Sequence, residues 1–337
     1  MIRSSALPSR IASPLRTLLR WCLLAHAGLI LFSLISFPLV VGRRPPSWVN
    51  SQLWDAVYGW GMSWTGALYI AAGFGVAAAA WLLRLGLGRA LLSMTLVVLL
   101  GFVVELMGTT TDLPFGPYSY GGLLGGKILG HVPWVIPLSW FTLLYATLAL
   151  SLRLGMGRLG TALMASIGLL AWDVLMDPAM SVAFPFWSWD VDGIYFGMPL
   201  INWVGWFATG VLMAGAVLIV HPLGELRPLS QDRLPVVLYV LNGALPLLLS
   251  ILGGLYWAAL IGTLAMAAFL VVTMRAGPIG ETGPTTSRSP ASSANASTAL
   301  ASSATTSNAT ATASNTKASR PAPSRPPASR PTPGGAG

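Results

Sequence analysis

Apolar residues in this chain gather into long, nearly uninterrupted runs, at about Trp21 to Val41, Trp60 to Leu83, Arg89 to Gly108, Pro133 to Leu152, Arg158 to Met176, Pro199 to Val220, Leu234 to Leu252 and Leu255 to Met274. Each approaches the ~20 residues that an α-helix needs to cross a hydrocarbon layer. The pattern predicts an all-α protein, a polytopic integral membrane helix bundle with seven or eight transmembrane helices. Only Gly253-Gly254 divides the last two runs, and a tight helical hairpin there, giving eight spans, is the preferred reading. The first run exceeds a secretory h-region and has no small-x-small cleavage site before Arg43, so it is expected to remain as a helix. After Arg275 the composition turns to Ser, Ala, Thr, Pro and Asn. That mixture buries too little apolar surface to offset ordering. Residues 1–275 therefore read as a transmembrane domain and 276–337 as a disordered tail.

Composition strengthens the membrane reading. Of 337 residues, 54% are hydrophobic and 9% charged, a balance that a soluble domain does not present to water. The net charge of +9 is spread over the ends of the apolar runs, with no basic patch for nucleic acid. Eleven arginines from Arg3 to Arg275 fall on the side of the termini and only Arg43, Arg44 and Lys127 fall opposite. The positive-inside rule then predicts a multi-pass cell-membrane protein with both termini in the cytoplasm. Asp55, Asp190 and Asp192 are expected in outer loops. Glu105, Asp112, Asp173 and Asp177 are expected near the outer ends of the third and fifth helices.

Cys22 is the single cysteine, and His26, His131 and His221 lie far apart in the sequence. This excludes cysteine metal sites and the histidine clusters of membrane di-iron oxygenases, so no metal is expected.

Two stretches carry the candidate chemistry: Glu105 to Trp140, and Ala171 to Trp206. Both bring carboxylates into apolar runs, where an unpartnered charge costs several kcal/mol and so marks a functional site. Glu105 and Asp112 are two helical turns apart and share a face if the helix reaches that far. Asp173 and Asp177 are one turn apart, and Pro178 is expected to stop their helix. Oily surroundings and helix C-terminal dipoles both oppose a full complement of negative charge here. A protonated carboxyl beside an ionised one is what acid-base chemistry on an apolar substrate requires.

The bland alternative, that these acids tie helices together, weighs more on Asp112 and Asp177, nearer the surface, than on Glu105 and Asp173. Trp187 and Trp189 read as an interfacial aromatic belt. Tyr118, Tyr120, Trp140, Trp172 and Trp206, with Asn202, are the candidate substrate-binding residues, their rings able to face a carbocation. Gly121 to Gly126 reads as a re-entrant or closely packed segment. Gly73-Phe74-Gly75 reads as small-residue helix packing.

The segments PFGPYSYGGLLG (114–125), HVPWVIPLSW (131–140), DVLMDPAM (173–180) and GIYFGMPLINWVGW (193–206) resemble the membrane carotenoid 1,2-hydratases of the bisanhydrobacterioruberin hydratase and γ-carotene 1'-hydroxylase type. The likeness covers roughly residues 95–215. This chain has Thr111-Asp112 where a Thr-Gly pair is expected ahead of PFG, which shifts the catalytic weight to Glu105, Asp173 and Asp177. The resemblance implies a hydro-lyase that adds water across the terminal 1,2 double bond of an acyclic carotenoid end, in lycopene, γ-carotene or a relative. It further implies a tertiary alcohol product and no cofactor. The implied partners are the carotenoid in the bilayer, water, membrane lipid and other enzymes of the same pathway, with no nucleic acid. The rivals are a magnesium-dependent prenyltransferase using Asp173 and Asp177 at D-x-x-x-D spacing, a carotenoid cyclase, and a non-enzymatic transporter or lipid scaffold.

Overall fold

A computed structural model describes residues 7–276. The chain divides into two units, Met1–Gly283 and Pro284–Gly337. The second, with nearly all of the expected tail, lies outside the described residues. Among the described residues the first holds eight helices long and apolar enough to cross a membrane: α1 (Ser9–Leu39), α2 (Ser51–Leu85), α3 (Gly88–Thr111), α4 (Ile136–Ser151, continued by a 3-10 turn to Leu154), α5 (Arg158–Pro178), α6 (Ile201–Val220), α8 (Leu234–Leu252) and α9 (Tyr256–Arg275). A one-turn helix, α7 (Leu223–Leu226), joins α6 to a 3-10 turn before α8. Gly253 and Gly254 do make a hairpin, Gly254 with φ +73°.

α4 is the central post. Fourteen of its sixteen residues are buried, and it packs against α2, α3, α5 and α8. Its mean hydropathy of 1.2 is nonetheless the lowest of the eight spans. Most of its polar members cost little because Thr142, Thr147 and Ser151 each donate to the carbonyl four residues back, at 3.1, 3.1 and 2.7 Å; the buried Tyr145 hydroxyl has no partner. α1 is the opposite case, with Leu18, Leu24, Leu31 and Ile35 all exposed. Those side chains need lipid around them.

α1 begins twelve residues before the expected Trp21, and two further boundaries differ from expectation. α2 begins nine residues before Trp60, because the Asn50 side chain accepts from Leu53 N at 3.1 Å and caps it. This captures Asp55 into the helix; it is not a loop acid. Pro178 also fails to stop its helix, which runs on through a π turn, Ala179–Ala183. A proline removes the N–H that would bond the carbonyl four residues earlier. Here that carbonyl, on Val174, accepts from the Tyr195 hydroxyl at 3.0 Å. Burial pushes the Tyr195 phenol up to about 12, so it remains a donor.

Small residues set the helix contacts. A Cβ on Gly73 would meet the His26 ring at 2.9 Å, and one on Gly75 would meet Cys22 Sγ at 2.5 Å, so Gly73-Phe74-Gly75 is a packing face between α2 and α1. Where α9 crosses α5, a Cβ on Gly262 would lie 2.5 Å from Leu175 Cα. Gly262→Leu is therefore expected to force the two helices apart, at a cost of about 1–3 kcal/mol or more. The check is the fraction of protein that stays monodisperse on size exclusion after heating in mild detergent, which should fall below wild type.

Two ribbons complete the fold. β1 (Tyr118–Tyr120) pairs antiparallel with β4 (Trp187–Trp189), matching Tyr118 with Trp189, Ser119 with Ser188 and Tyr120 with Trp187. β2 (Lys127–Ile128) pairs with β3 (Val132–Pro133). The glycine run 121–126 is the connection between β1 and β2, irregular as expected.

Candidate active site

Strand alternation turns residues i and i+2 to one face. In the β1/β4 ribbon this puts Tyr118, Tyr120, Trp187 and Trp189 together, with Ser119 and Ser188 on the other face. The four aromatics carry their polar atoms to two buried carboxylates. Glu105, on α3 and 4% exposed, accepts at Oε2 from the hydroxyls of Tyr118 and Tyr120, at 2.6 and 2.7 Å. Its Oε1 accepts from Trp140 Nε1 of α4 at 2.8 Å. Asp177, on α5, accepts at Oδ1 from Trp189 Nε1 at 2.9 Å and Trp187 Nε1 at 3.4 Å. Its Oδ2 accepts from Asn202 Nδ2 of α6 at 3.0 Å. The same amide nitrogen reaches Asp173 Oδ2 at 3.1 Å. Asp173 Oδ1 has no hydrogen-bond partner.

The two donor sets differ in kind. An indole N–H and an amide NH2 only donate, whereas a phenol both donates and accepts. The two indoles on the Asp177 carboxylate are thus fixed as donors and the Asn202 NH2 is held in place by Asp173 as well, while two of the three partners around Glu105 can reverse. Burial first, and the charge of Glu105 second, push the Tyr118 and Tyr120 phenols well above their ordinary value. They keep their protons.

Glu105 and Asp177 line one cavity of about 80 Å3, together with Tyr118, Tyr120, Trp140, Trp172, Asn202 and Trp206. All six residues singled out for substrate binding therefore meet there. The Trp140 and Trp206 rings are 4.2 Å apart between centroids, and Trp172 is 5.9 Å from Trp206. Trp172 is fastened by its Nε1, which donates at 3.0 Å to the Asn242 carbonyl of α8. That carbonyl is the one freed by Pro246, four residues on within the same helix.

Two expected acids stand apart from the cavity. Asp173 is fully buried behind Asn202 and does not line it. Asp112 is exposed, with φ 65° at the end of α3. The helix ends before the second turn that would have brought Asp112 under Glu105.

Trp187 and Trp189 are placed differently from the belt expected of them, since their N–H groups are spent on Asp177. Their signal was in the chain: Tyr-Ser-Tyr and Trp-Ser-Trp share a two-residue period. In the sequence His26 stands far from the other histidines and forms no cluster with them. In the fold its Nδ1 lies 2.8 Å from the Tyr69 carbonyl and its Nε2 3.5 Å from Asn242 Nδ2, and all three residues reach the cavity wall. Among the described residues no three His, Cys, Asp or Glu side chains converge to hold a metal ion.

The family model described as "Carotenoid biosynthesis protein" matches residues 65–269, a span that includes both carboxylates and the ribbon. The bisanhydrobacterioruberin hydratase of Haloarcula japonica is 32% identical over 126 residues, covering 36% of this chain and 42% of that protein. No solved structure matches. The relative's match thus spans less than half of its length, and the chain belongs to the carotenoid biosynthesis protein family, as a polytopic membrane helix bundle.

Proposed function

We propose that the protein is a carotenoid 1,2-hydratase: it adds water across the terminal double bond of an acyclic carotenoid end and forms a tertiary alcohol. The observation that carries this reading is the pairing, across one apolar aromatic cavity, of a carboxyl held by reversible phenols with a carboxylate held only by donors. Glu105 is the acid. When protonated at Oε2 it donates to one tyrosine oxygen while the other tyrosine still donates to it, so its hydrogen bonds survive in both protonation states. Its proton adds to C2 of the end group and leaves a tertiary cation at C1. The faces of Trp140, Trp172 and Trp206 stabilise that cation by about 2 kcal/mol or more in a dry site.

Asp177, an acceptor toward all its neighbours, holds the water. The water oxygen bonds to C1 and its proton passes to Asp177, then returns to Glu105 through cavity water. The net change is one alkene and one water consumed for one alcohol formed. Asp173 supports this arrangement through Asn202. The carotenoid is drawn from the bilayer. The excess of arginine at the ends shared by the termini supports placement in the cell membrane with both termini cytoplasmic.

The test is expression in a host that makes lycopene or γ-carotene, in water enriched in oxygen-18. The expected product gains one oxygen, labelled, per hydrated end. Oxygen from air, or a cyclised product with no oxygen, overturns the reading.

A further inference from the structure

A second cavity, of about 280 Å3, lies between the C-terminal half of α1 and the N-terminal half of α2. Phe32, Phe37, Val57 and Met62 line it, and Phe184 closes one end, its ring edge-on to Phe37 with centroids 4.8 Å apart. No charged side chain lines it. Its polar lining is limited to hydroxyls and the Trp54 indole; the Ser33 hydroxyl is spent on the Leu29 carbonyl at 2.8 Å and the Tyr58 hydroxyl accepts from Gly42 N at 3.2 Å, so the surface is mostly carbon.

Two of its residues, Tyr69 and Phe186, also line the active-site cavity. The two spaces thus share a wall. Phe32 and Val57, 56% and 62% exposed, open the groove to the lipid side. From Trp54 to Tyr69 it follows α2 for about 22 Å, at about 1.5 Å per residue.

The catalytic cavity, at about 80 Å3, has room for an end group and water but not for a long polyene. A substrate whose end sits between Glu105 and Asp177 must leave the rest of its chain somewhere. We infer that the α1/α2 groove is a binding site for the polyene chain of the carotenoid, with Tyr69 and Phe186 at the junction where the reacting end turns inward. This rests on the hydratase reading for what happens at that end. The groove fits the occupant by length, by its uncharged and mostly apolar wall and by continuity with the site. A phospholipid acyl chain is the competing occupant.

The test fills the groove. A Cβ on Gly61 has only Thr65 Oγ1 within 4 Å, at 4.0 Å, so Gly61→Phe can be accommodated; Met62→Trp is the second variant. Full-length protein, purified in detergent from a carotenoid-producing host, is compared with wild type in two ways. The first is pigment retained per protein. The second is kcat/KM for a full-length acyclic carotenoid against a short acyclic isoprene carrying the same terminal alkene.

Both variants are expected to retain less pigment and to lose about tenfold or more in kcat/KM for the full-length carotenoid, with little change for the short alkene. Equal loss on both substrates, undiminished pigment, or retention of phospholipid alone would each overturn the inference. If wild type retains carotenoid but hydrates neither substrate, the hydratase reading fails, and the retention measurements still decide the groove.

Discussion

Glu105→Gln is expected to lower product formation by about two to four orders of magnitude, the usual share of a general acid, while the protein accumulates normally in the membrane. The reason for normal folding lies in the partners. The amide oxygen of glutamine still accepts from Trp140, and its NH2 donates to the oxygens of Tyr118 and Tyr120, which can turn their own hydrogens away. Hydrogen bonding is preserved and only the transferable proton is lost. Pigment analysis by mass, normalised to protein by immunoblot, decides it. Near-wild-type product would remove Glu105 from the mechanism.

Asp177→Asn should be as damaging to product and more damaging to the protein. Replacing either oxygen with NH2 sets a donor against the indole N–H groups of Trp187 and Trp189 or against the Asn202 amide. The indoles cannot reverse, and the Asn202 amide can do so only by a flip that also takes its NH2 away from Asp173 Oδ2. The clash costs roughly 1–3 kcal/mol as a buried unsatisfied contact, and activity should fall by at least about a hundredfold. The contrast between the two amides, one clean and one destabilising, is measured by thermal unfolding in detergent alongside turnover. Equal stability of both would contradict the difference drawn between their shells.

Much of the architecture was legible because the bilayer imposes a length, and eight apolar runs of that length became eight helices. Boundaries were less so. The start of α2 depended on one side chain, Asn50, and the passage of α5 through Pro178 depended on Tyr195, which sits far along the chain. At the site, Glu105, Asp177, Asn202 and the three tryptophans stood out as polar or ring-bearing positions inside apolar runs. The ribbon did not. Three residues are too few for a strand period to register, and pairing Tyr-Ser-Tyr with Trp-Ser-Trp joins segments about seventy residues apart. Without it, Trp187 and Trp189 had no visible partner, and membrane-interface tryptophans are the commoner case.

Two of the in-helix prolines have a mechanical meaning. Pro178 and Pro246 each leave a backbone carbonyl uncovered at membrane depth, and in both places an aromatic side chain supplies the missing hydrogen. For Trp172 this clamps the indole by its edge to the main chain of a neighbouring helix, so the plane of the ring cannot swivel when a cation forms or vanishes beside it. Trp172→Phe would then loosen α8 as well as the cavity wall, because the ring and the helix are held by the same bond.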